Sequence, residues 1–247
     1  MNNSINQRPP PPKFNWNIYD NSSSDDTKPQ ITLQKSDKRR QKQVILLVDE
    51  MLAKLTHSNL LNGINTENIK HKSVDLLDNS VIEQIKSKKY QSIACALIIQ
   101  SLRILLIPLR IKEITQTLNC DEKQVRKILI QLNQIRPFDQ DAFTLQYMTR
   151  ICVAIGFNQK FQTLCRFFYS TLKNQNLVQG EHEHVIASAL VKLTGDFIFH
   201  EKGGLNLQII SNNAGCCEIS LKNLLQKIEP HNQNLIQQAY EFYRRTM

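Results

Sequence analysis

Apolar residues recur every three or four positions along most of the chain, the spacing that places side chains on one face of an α-helix. Residues 43–55 and 68–86 both show this pattern. Residues 91–105 are instead apolar on nearly all sides, which is typical of a helix surrounded by other helices. Glycine and proline are scarce after residue 35, so the turns that strands need are few. The pattern therefore predicts an all-α protein.

A five-residue motif of apolar and small residues, typical of a buried helix, occurs twice in the chain. Residues 93–97 read Ile-Ala-Cys-Ala-Leu, and residues 186–190 read Ile-Ala-Ser-Ala-Leu. Each copy is followed by a short helix and then by a last, basic helix. After the first copy these are residues 111–118 and the helix that Asp121 begins, and after the second copy they are residues 205–211 and 218–228. Residues 144–155 and 159–173 precede the second copy as two further helices. Self-similarity at a fixed offset indicates two tandem copies of one helical unit, each ending in a helix-turn-helix.

These patterns divide the chain into four segments. Residues 1–35 are polar and proline-rich, and such a composition predicts a disordered arm because it buries too little apolar surface to offset chain entropy. The aromatic residues of this arm, Phe14, Trp16 and Tyr19, either dock on a partner or pack on the chain's own core. Residues 36–136 form the first repeat, residues 137–230 the second, and residues 231–247 a helical tail.

Positive charge is concentrated in the first repeat. Residues 86–136 contain ten lysines and arginines against three acidic residues, whereas residues 137–230 contain eight of each sign. Positive charge concentrated in one region attracts polyanions or acidic protein surfaces. The alternative interpretation is a charged surface that only keeps the protein soluble. The basic cluster at residues 38–42 is either a nuclear localisation signal or the solvated start of a helix.

The reactive residues form no pattern typical of catalysis. None of the six cysteines forms a C-x-x-C pair, so zinc binding on that spacing is not expected, and Cys95, Cys152 and Cys165 fit small buried hydrophobes. His182 and His184 would point apart on a helix. With no phosphate-binding glycine loop and no catalytic triad, we expect neither an enzyme nor a cofactor or metal. No apolar run is long enough to cross a membrane, and the polar N-terminus does not resemble a signal peptide.

Five helices per copy, with a buried third helix, resemble the cyclin box. The ordered motifs also resemble the core of transcription factor IIB across residues 36–230. The resemblance is carried by residues 92–96, Pro108, residues 112–114 and residues 125–127 in the first copy, and by residues 177–180, residues 185–189, residues 214–222, Tyr147, Arg150 and Cys152 in the second. The zinc ribbon of that family has no counterpart here, because no cysteine precedes Cys95.

The resemblance implies a nuclear, non-enzymatic factor that bridges double-stranded DNA, the TATA-binding protein and RNA polymerase. It implies that Ile219 and Lys222 meet base edges in the major groove, where an apolar side chain suits a thymine methyl and a lysine suits guanine. Lys227 joins them as a DNA contact. Lys123, Arg126 and Lys127 are expected near phosphates or an acidic protein patch. The residues expected to bind a protein partner are Lys86, Lys88, Lys89, Arg110 and Lys112.

Two other functions fit the same fold, because a fold does not define a function. A cyclin would dock on a protein kinase and activate it. A structural subunit would use its helices only as a protein-binding surface. The basic last helix of the first repeat favours the transcription factor, because kinase docking gives no reason for that charge.

Overall fold

The computed structural model describes residues 28–78, 85, 87, 89–199 and 204–246, and for residues 28–37 it describes the backbone alone. The chain divides into two compact units, Met1–Ser36 and Asp37–Met247. All side-chain contacts discussed below lie within the second unit. Every regular element in the described ranges is helical, and no strand occurs among them. The expected all-α class is thus confirmed.

The described helices fall into two groups along the chain. The N-terminal half contains α1 (Lys28–His57), α2 (Thr66–Leu76), α3 (Tyr90–Ile104), α4 (Ile111–Thr117) and α5 (Glu122–Ile135). The C-terminal half contains α6 (Gln140–Ile155), α7 (Gln159–Asn174), α8 (Glu183–Ile198), α9 (Leu207–Ala214), α10 (Glu218–Ile228), a 3₁₀ turn (Glu229–His231) and α11 (Asn232–Thr246).

Two hydrophobic cores form, one from α1–α5 and the other from α6–α11. In the first core, residues 92–102 of α3 are buried without interruption, and this helix packs against α2, α4 and α5. In the second core, α8 packs against α6, α7, α9 and α10. The two segments that carry the repeated Ile-Ala-small-Ala-Leu signature are therefore both central helices, as their lack of a polar face predicts.

Two sequence-predicted helices have different bounds in the structure. Residues 28–35, expected to be disordered, form the start of α1, because extending an existing helix costs far less than starting one. The rest of that arm, including Phe14, Trp16 and Tyr19, lies outside the described residues. The helix predicted over residues 68–86 ends at Leu76. Leu76 and Leu77 are both buried, and the change of backbone direction at Leu77 lets these neighbours face the same core.

The segment between α3 and α4 connects the two cores. Leu106 has a left-handed backbone (φ 57°), and its side chain packs against the second core although it follows the central helix of the first. The guanidinium of Arg150 on α6 donates a hydrogen bond back to the carbonyl oxygen of Pro108. These contacts hold the segment between α3 and α4 against the second core.

The C-terminal segment is helical and also belongs to the second core. Leu235 and Ala239 on α11 are buried, and the helix packs against α7. Phe242 stacks on Phe167 with ring centroids 4.5 Å apart. The predicted tail therefore covers one side of the second core.

All six cysteines are free. Cys95, Cys152 and Cys165 are fully buried among apolar residues, as their positions in apolar helical runs predict. Cys216 is half-buried against the second core, and its sulfur lies 3.3 Å from the Ser188 hydroxyl oxygen. Cys217 is exposed at the N-cap of α10, so only the first of these neighbours contributes to packing.

Candidate nucleic-acid and protein interface

The last helix of the first core, α5, presents a basic face to solvent. Asp121 caps the helix by accepting hydrogen bonds from the backbone N–H groups of Lys123 (3.0 Å) and Gln124 (3.4 Å), which confirms the predicted cap. With α5 held in this register, Lys123, Arg126 and Lys127 are all exposed, on the side opposite its buried apolar residues. The three cations predicted to bind DNA thus share one face.

The charges on this face are not equivalent. The Arg126 guanidinium pairs with the Glu122 carboxylate at 2.7 Å, an exposed i, i+4 pair. Such pairs contribute only about 0.3–0.5 kcal/mol, so a phosphate or an acidic side chain displaces Glu122 at little cost. Lys123 and Lys127 form no ion pair with any described residue and are free to meet an anion.

Helix α10 repeats this design with different chemistry. Its pair Glu218–Lys222 (3.6 Å) occupies the positions that Glu122 and Arg126 occupy on α5. Ile219 stands where α5 has Lys123, and its side chain is 67% exposed. Lys222 and Lys227 are exposed as well. Both faces therefore combine cations with an exposed isoleucine. The isoleucine is Ile219 in the first turn of α10 and Ile130 in the third turn of α5.

Sequence reasoning overlooked two polar side chains on the same face of α10. Asn223 and Gln226 follow Ile219 at the i+4 and i+7 positions and are exposed. Amides suit adenine edges in the major groove. Their helical spacing from Ile219 was the signal that would have identified them.

Arg110 takes part in a contact between the two cores. Its guanidinium pairs with Glu113 (3.2 Å) and donates a hydrogen bond to the carbonyl oxygen of Asn212 (3.2 Å), at the end of α9. It also lies directly against Gly215, where a Cβ atom would overlap it. The side chain, expected to bind a partner, is 30% exposed and joins the start of α4 to the end of α9.

The remaining residues predicted to bind a protein partner are spread more widely. Lys89 is exposed at the N-cap position of α3, and Lys112 is exposed on the first turn of α4. Lys86 and Lys88 lie outside the described residues. The structure therefore locates two exposed cations of this set, apart from Arg110.

An aromatic row with adjacent arginines lies at the junction of the cores, and sequence reasoning missed it. Phe138, Phe143 and Tyr147 make successive edge contacts with centroids 5.4 and 5.7 Å apart, and His184 continues the row at 6.2 Å from Tyr147. The guanidinium of Arg103, from α3 of the first core, lies 4.9 Å from the Phe138 centroid. It makes no hydrogen bond or ion pair within the described part of the chain.

Positive charge and burial perturb the titrating groups at this junction. The pKa of His184 is lowered to about 4, chiefly by burial and then by the charges of His182, Arg126 and Arg110, while Glu183 opposes them. Burial also lowers the pKa of Arg103 and raises the pKa of Tyr147 to about 12. Burial is thus the main cause of all three shifts, and the neighbouring arginines add to it at His184.

The two histidines do not point apart, contrary to the sequence argument. His182 is the N-cap of α8 with an extended backbone, so helical spacing does not apply to it. Its ring stacks near that of His184, with centroids 5.7 Å apart. In the described ranges, no group of three or more His, Cys, Asp or Glu side chains is arranged to hold a metal ion.

The basic cluster at residues 38–42 lies within α1. The Arg40 guanidinium donates hydrogen bonds to the carbonyl oxygens of Ile85 (3.0 Å) and Ser87 (2.6 Å). Lys38, Arg39 and Lys42 are exposed. The cluster thus includes one residue that holds the segment before α3 in place.

Comparison with protein-family models and with curated protein sequences finds no match, so the interpretation of this surface rests on its geometry and charge. Among the described helices, none has the length and apolar character needed to cross a membrane.

Proposed function

We propose that the chain is a non-enzymatic transcription initiation factor with two cyclin-like repeats, which bridges promoter DNA, the TATA-binding protein and RNA polymerase in the nucleus. The carrying observation is the basic face of α5 beside a junction that is rich in arginine. In this proposal each repeat comprises five helices and ends in a helix-turn-helix, α4–α5 in the first and α9–α10 in the second.

The two last helices would divide the work of holding DNA. Lys123, Arg126 and Lys127 are suited to phosphates, which position a protein on a duplex without reading its sequence. Ile219 and Lys222 on α10 are suited to base edges, because they project from the first turns of a helix with an exposed outer face. Lys227, further along α10, is suited to the flanking backbone.

The junction would receive the protein partner. Arg103 is half-buried beside Phe138, and its guanidinium forms no ion pair with a described residue, although Glu183 lies close enough to act on its pKa. An acidic loop placed there would gain a charge-assisted hydrogen bond from this guanidinium. Lys89 and Lys112 add exposed cations on the first repeat. An acidic surface of the TATA-binding protein is the partner that this charge favours, and RNA polymerase would contact the assembled complex.

The test is a gel-shift titration on a TATA-containing duplex, with and without the TATA-binding protein. We expect a supershift at low salt, and we expect Lys123→Glu combined with Lys127→Glu to weaken it. Removing two phosphate contacts also reduces the slope of log K against log salt by about two. The matched control reverses Lys160 and Arg166, two exposed cations on α7, and therefore changes the net charge equally.

Equal losses in the two variants would show that net charge alone drives binding, and would contradict a specific role for α5. Absence of a supershift with the unaltered chain would contradict the proposal as a whole. Copurification with a protein kinase subunit in place of DNA would favour the cyclin alternative.

A further inference from the structure

Three segments that are far apart in the sequence meet at Ser87. The Arg40 guanidinium on α1 donates hydrogen bonds to the carbonyl oxygens of Ser87 (2.6 Å) and Ile85 (3.0 Å). The side-chain amide of Gln124 on α5 donates a hydrogen bond to the Ser87 hydroxyl oxygen (3.3 Å), which also accepts the backbone N–H of Lys89 (3.2 Å). The basic part of α1 and the start of α5 therefore both lie within one side-chain length of the same residue.

Both helices present exposed cations next to this meeting point. On α1, Arg39 directly precedes the anchoring arginine, and Lys42 is exposed less than one turn further on. On α5, Lys127 lies one turn beyond the glutamine that contacts Ser87, and Lys123 is exposed just before that glutamine. None of these four side chains forms an ion pair with a residue that the structure describes. We call the four the composite basic surface: Arg39, Lys42, Lys123 and Lys127.

The described acidic side chains at the start of α5 already have partners. The Asp121 carboxylate accepts hydrogen bonds from backbone N–H groups of its own helix, and Glu122 pairs with Arg126 at 2.7 Å. The composite basic surface thus offers unpaired charges of one sign from two helices. A DNA duplex carries one negative charge for about every 1.7 Å of its length, and it suits such a surface. The central parts of protein interfaces are instead poor in lysine.

We propose that α1 binds the phosphate backbone of double-stranded DNA together with α5, through the composite basic surface. The inference rests on the proposed function, because it extends the phosphate contacts assigned to α5 onto a second helix. In this arrangement Arg40 is a positioning residue, which holds α1 beside the segment that α5 also contacts. The basic cluster at residues 38–42 then contributes to DNA binding directly.

The size of the contribution follows from counterion release. Each cation that neutralises a phosphate adds about 0.9 to the slope of log K against log salt. Arg39 and Lys42 together should therefore account for a slope of about two, the same share as Lys123 and Lys127. Neutralising one such pair should reduce the loss of affinity between about 50 and 200 mM salt by about tenfold.

The experiment measures binding of the full chain to a labelled TATA-containing duplex that already carries the TATA-binding protein, by fluorescence anisotropy over a series of salt concentrations. The α1 variant is Arg39→Gln with Lys42→Gln, and its matched control is Lys160→Gln with Arg166→Gln on α7, which also removes one lysine and one arginine. Glutamine is chosen because it is a good helix former. We expect the α1 variant to lower the slope by about two and the control to leave it unchanged.

A third variant, Lys123→Gln with Lys127→Gln, separates this inference from the proposed function. If this variant lowers the slope while the α1 variant behaves like the control, the role assigned to α1 is wrong and the proposed function stands. If the unaltered chain does not bind at low salt, both are wrong. If the α1 variant binds the free TATA-binding protein more weakly and its slope on DNA is unchanged, the surface of α1 recognises an acidic protein, which also overturns the inference. Circular dichroism of each variant confirms that its helices are intact.

Discussion

Replacing Gly215 with alanine tests the contact between Arg110, which precedes α4, and the end of α9. Gly215 ends α9 with a left-handed backbone (φ 64°), and a Cβ atom at this position would overlap the guanidinium of Arg110. Gly156 ends α6 in the same region of backbone space (φ 88°), but a Cβ atom there meets no other atom within 4 Å. The two substitutions therefore share the conformational cost and differ in the displacement of Arg110.

The magnitudes follow from these contacts. The left-handed conformation costs a non-glycine residue about 1 kcal/mol, which is the whole loss expected for Gly156→Ala. Gly215→Ala also displaces Arg110 from the Asn212 carbonyl and weakens its pair with Glu113. Loss of one hydrogen bond from a charged donor at a partly exposed site adds about 1–2 kcal/mol. We therefore expect a total loss of about 2–3 kcal/mol for Gly215→Ala.

The assay is urea unfolding followed by far-ultraviolet circular dichroism, since the single tryptophan, Trp16, lies outside the described helices. In an Arg110→Ala background, Gly215→Ala should cost no more than Gly156→Ala, because the displaced guanidinium is absent. The double-mutant cycle then gives a coupling of about 1–2 kcal/mol. Equal losses for both glycines in the unaltered chain, or no change of the Gly215→Ala loss in the Arg110→Ala background, would refute the assignment.

Three further predictions concern the second core. In Gly195→Ala, the new methyl group would overlap the side chain of Leu205, so we expect a loss of about 1–3 kcal/mol in urea unfolding, smaller when Leu205→Ala is added. Phe168→Ala removes a large, fully buried side chain and should cost about 3–5 kcal/mol, seen as a lower thermal midpoint. Between pH 6.5 and about 4, His184 is protonated in the unfolded chain but not in the folded chain. The free energy of unfolding therefore decreases as the pH is lowered through this range, by up to about 3 kcal/mol. Urea unfolding of His184→Gln across this range should show a flatter dependence on pH.

Each of these has a contrary outcome. An unchanged loss for Gly195→Ala after Leu205 is truncated would contradict overlap with Leu205 as its cause. A loss under 1 kcal/mol for Phe168→Ala would mean that the second core collapses around the vacant site. Parallel pH curves for His184→Gln and the unaltered chain would show that His184 titrates normally when folded.

The helices whose signal is local were predictable from the sequence. An uninterrupted apolar segment gave the central position of α3, and Asp121 was identified as a cap from its place before an amphipathic segment. Burial of Cys95, Cys152 and Cys165 followed from their apolar neighbours. Errors arose where local pattern and core packing disagree, as at Leu77, where the backbone leaves the helix so that two adjacent leucines share one core.

The candidate surface was predictable only in part. Exposure of Lys123, Arg126 and Lys127 follows from helical spacing, which the sequence contains. The role of Arg110 does not, since its partners on α9 and at Gly215 lie about a hundred residues away along the chain. The position of Arg103 beside Phe138 depends likewise on how helices pack.

The sequence by itself determined that the chain is helical, which segments are central, and where its positive charge is concentrated. These properties arise from residues within one or two turns of each other, and the period of the helix makes them readable. Only the tertiary structure decided which cations remain free on α5 and which arginine links the two cores. Those properties depend on contacts between distant segments, and their geometry is set by the packing of whole helices.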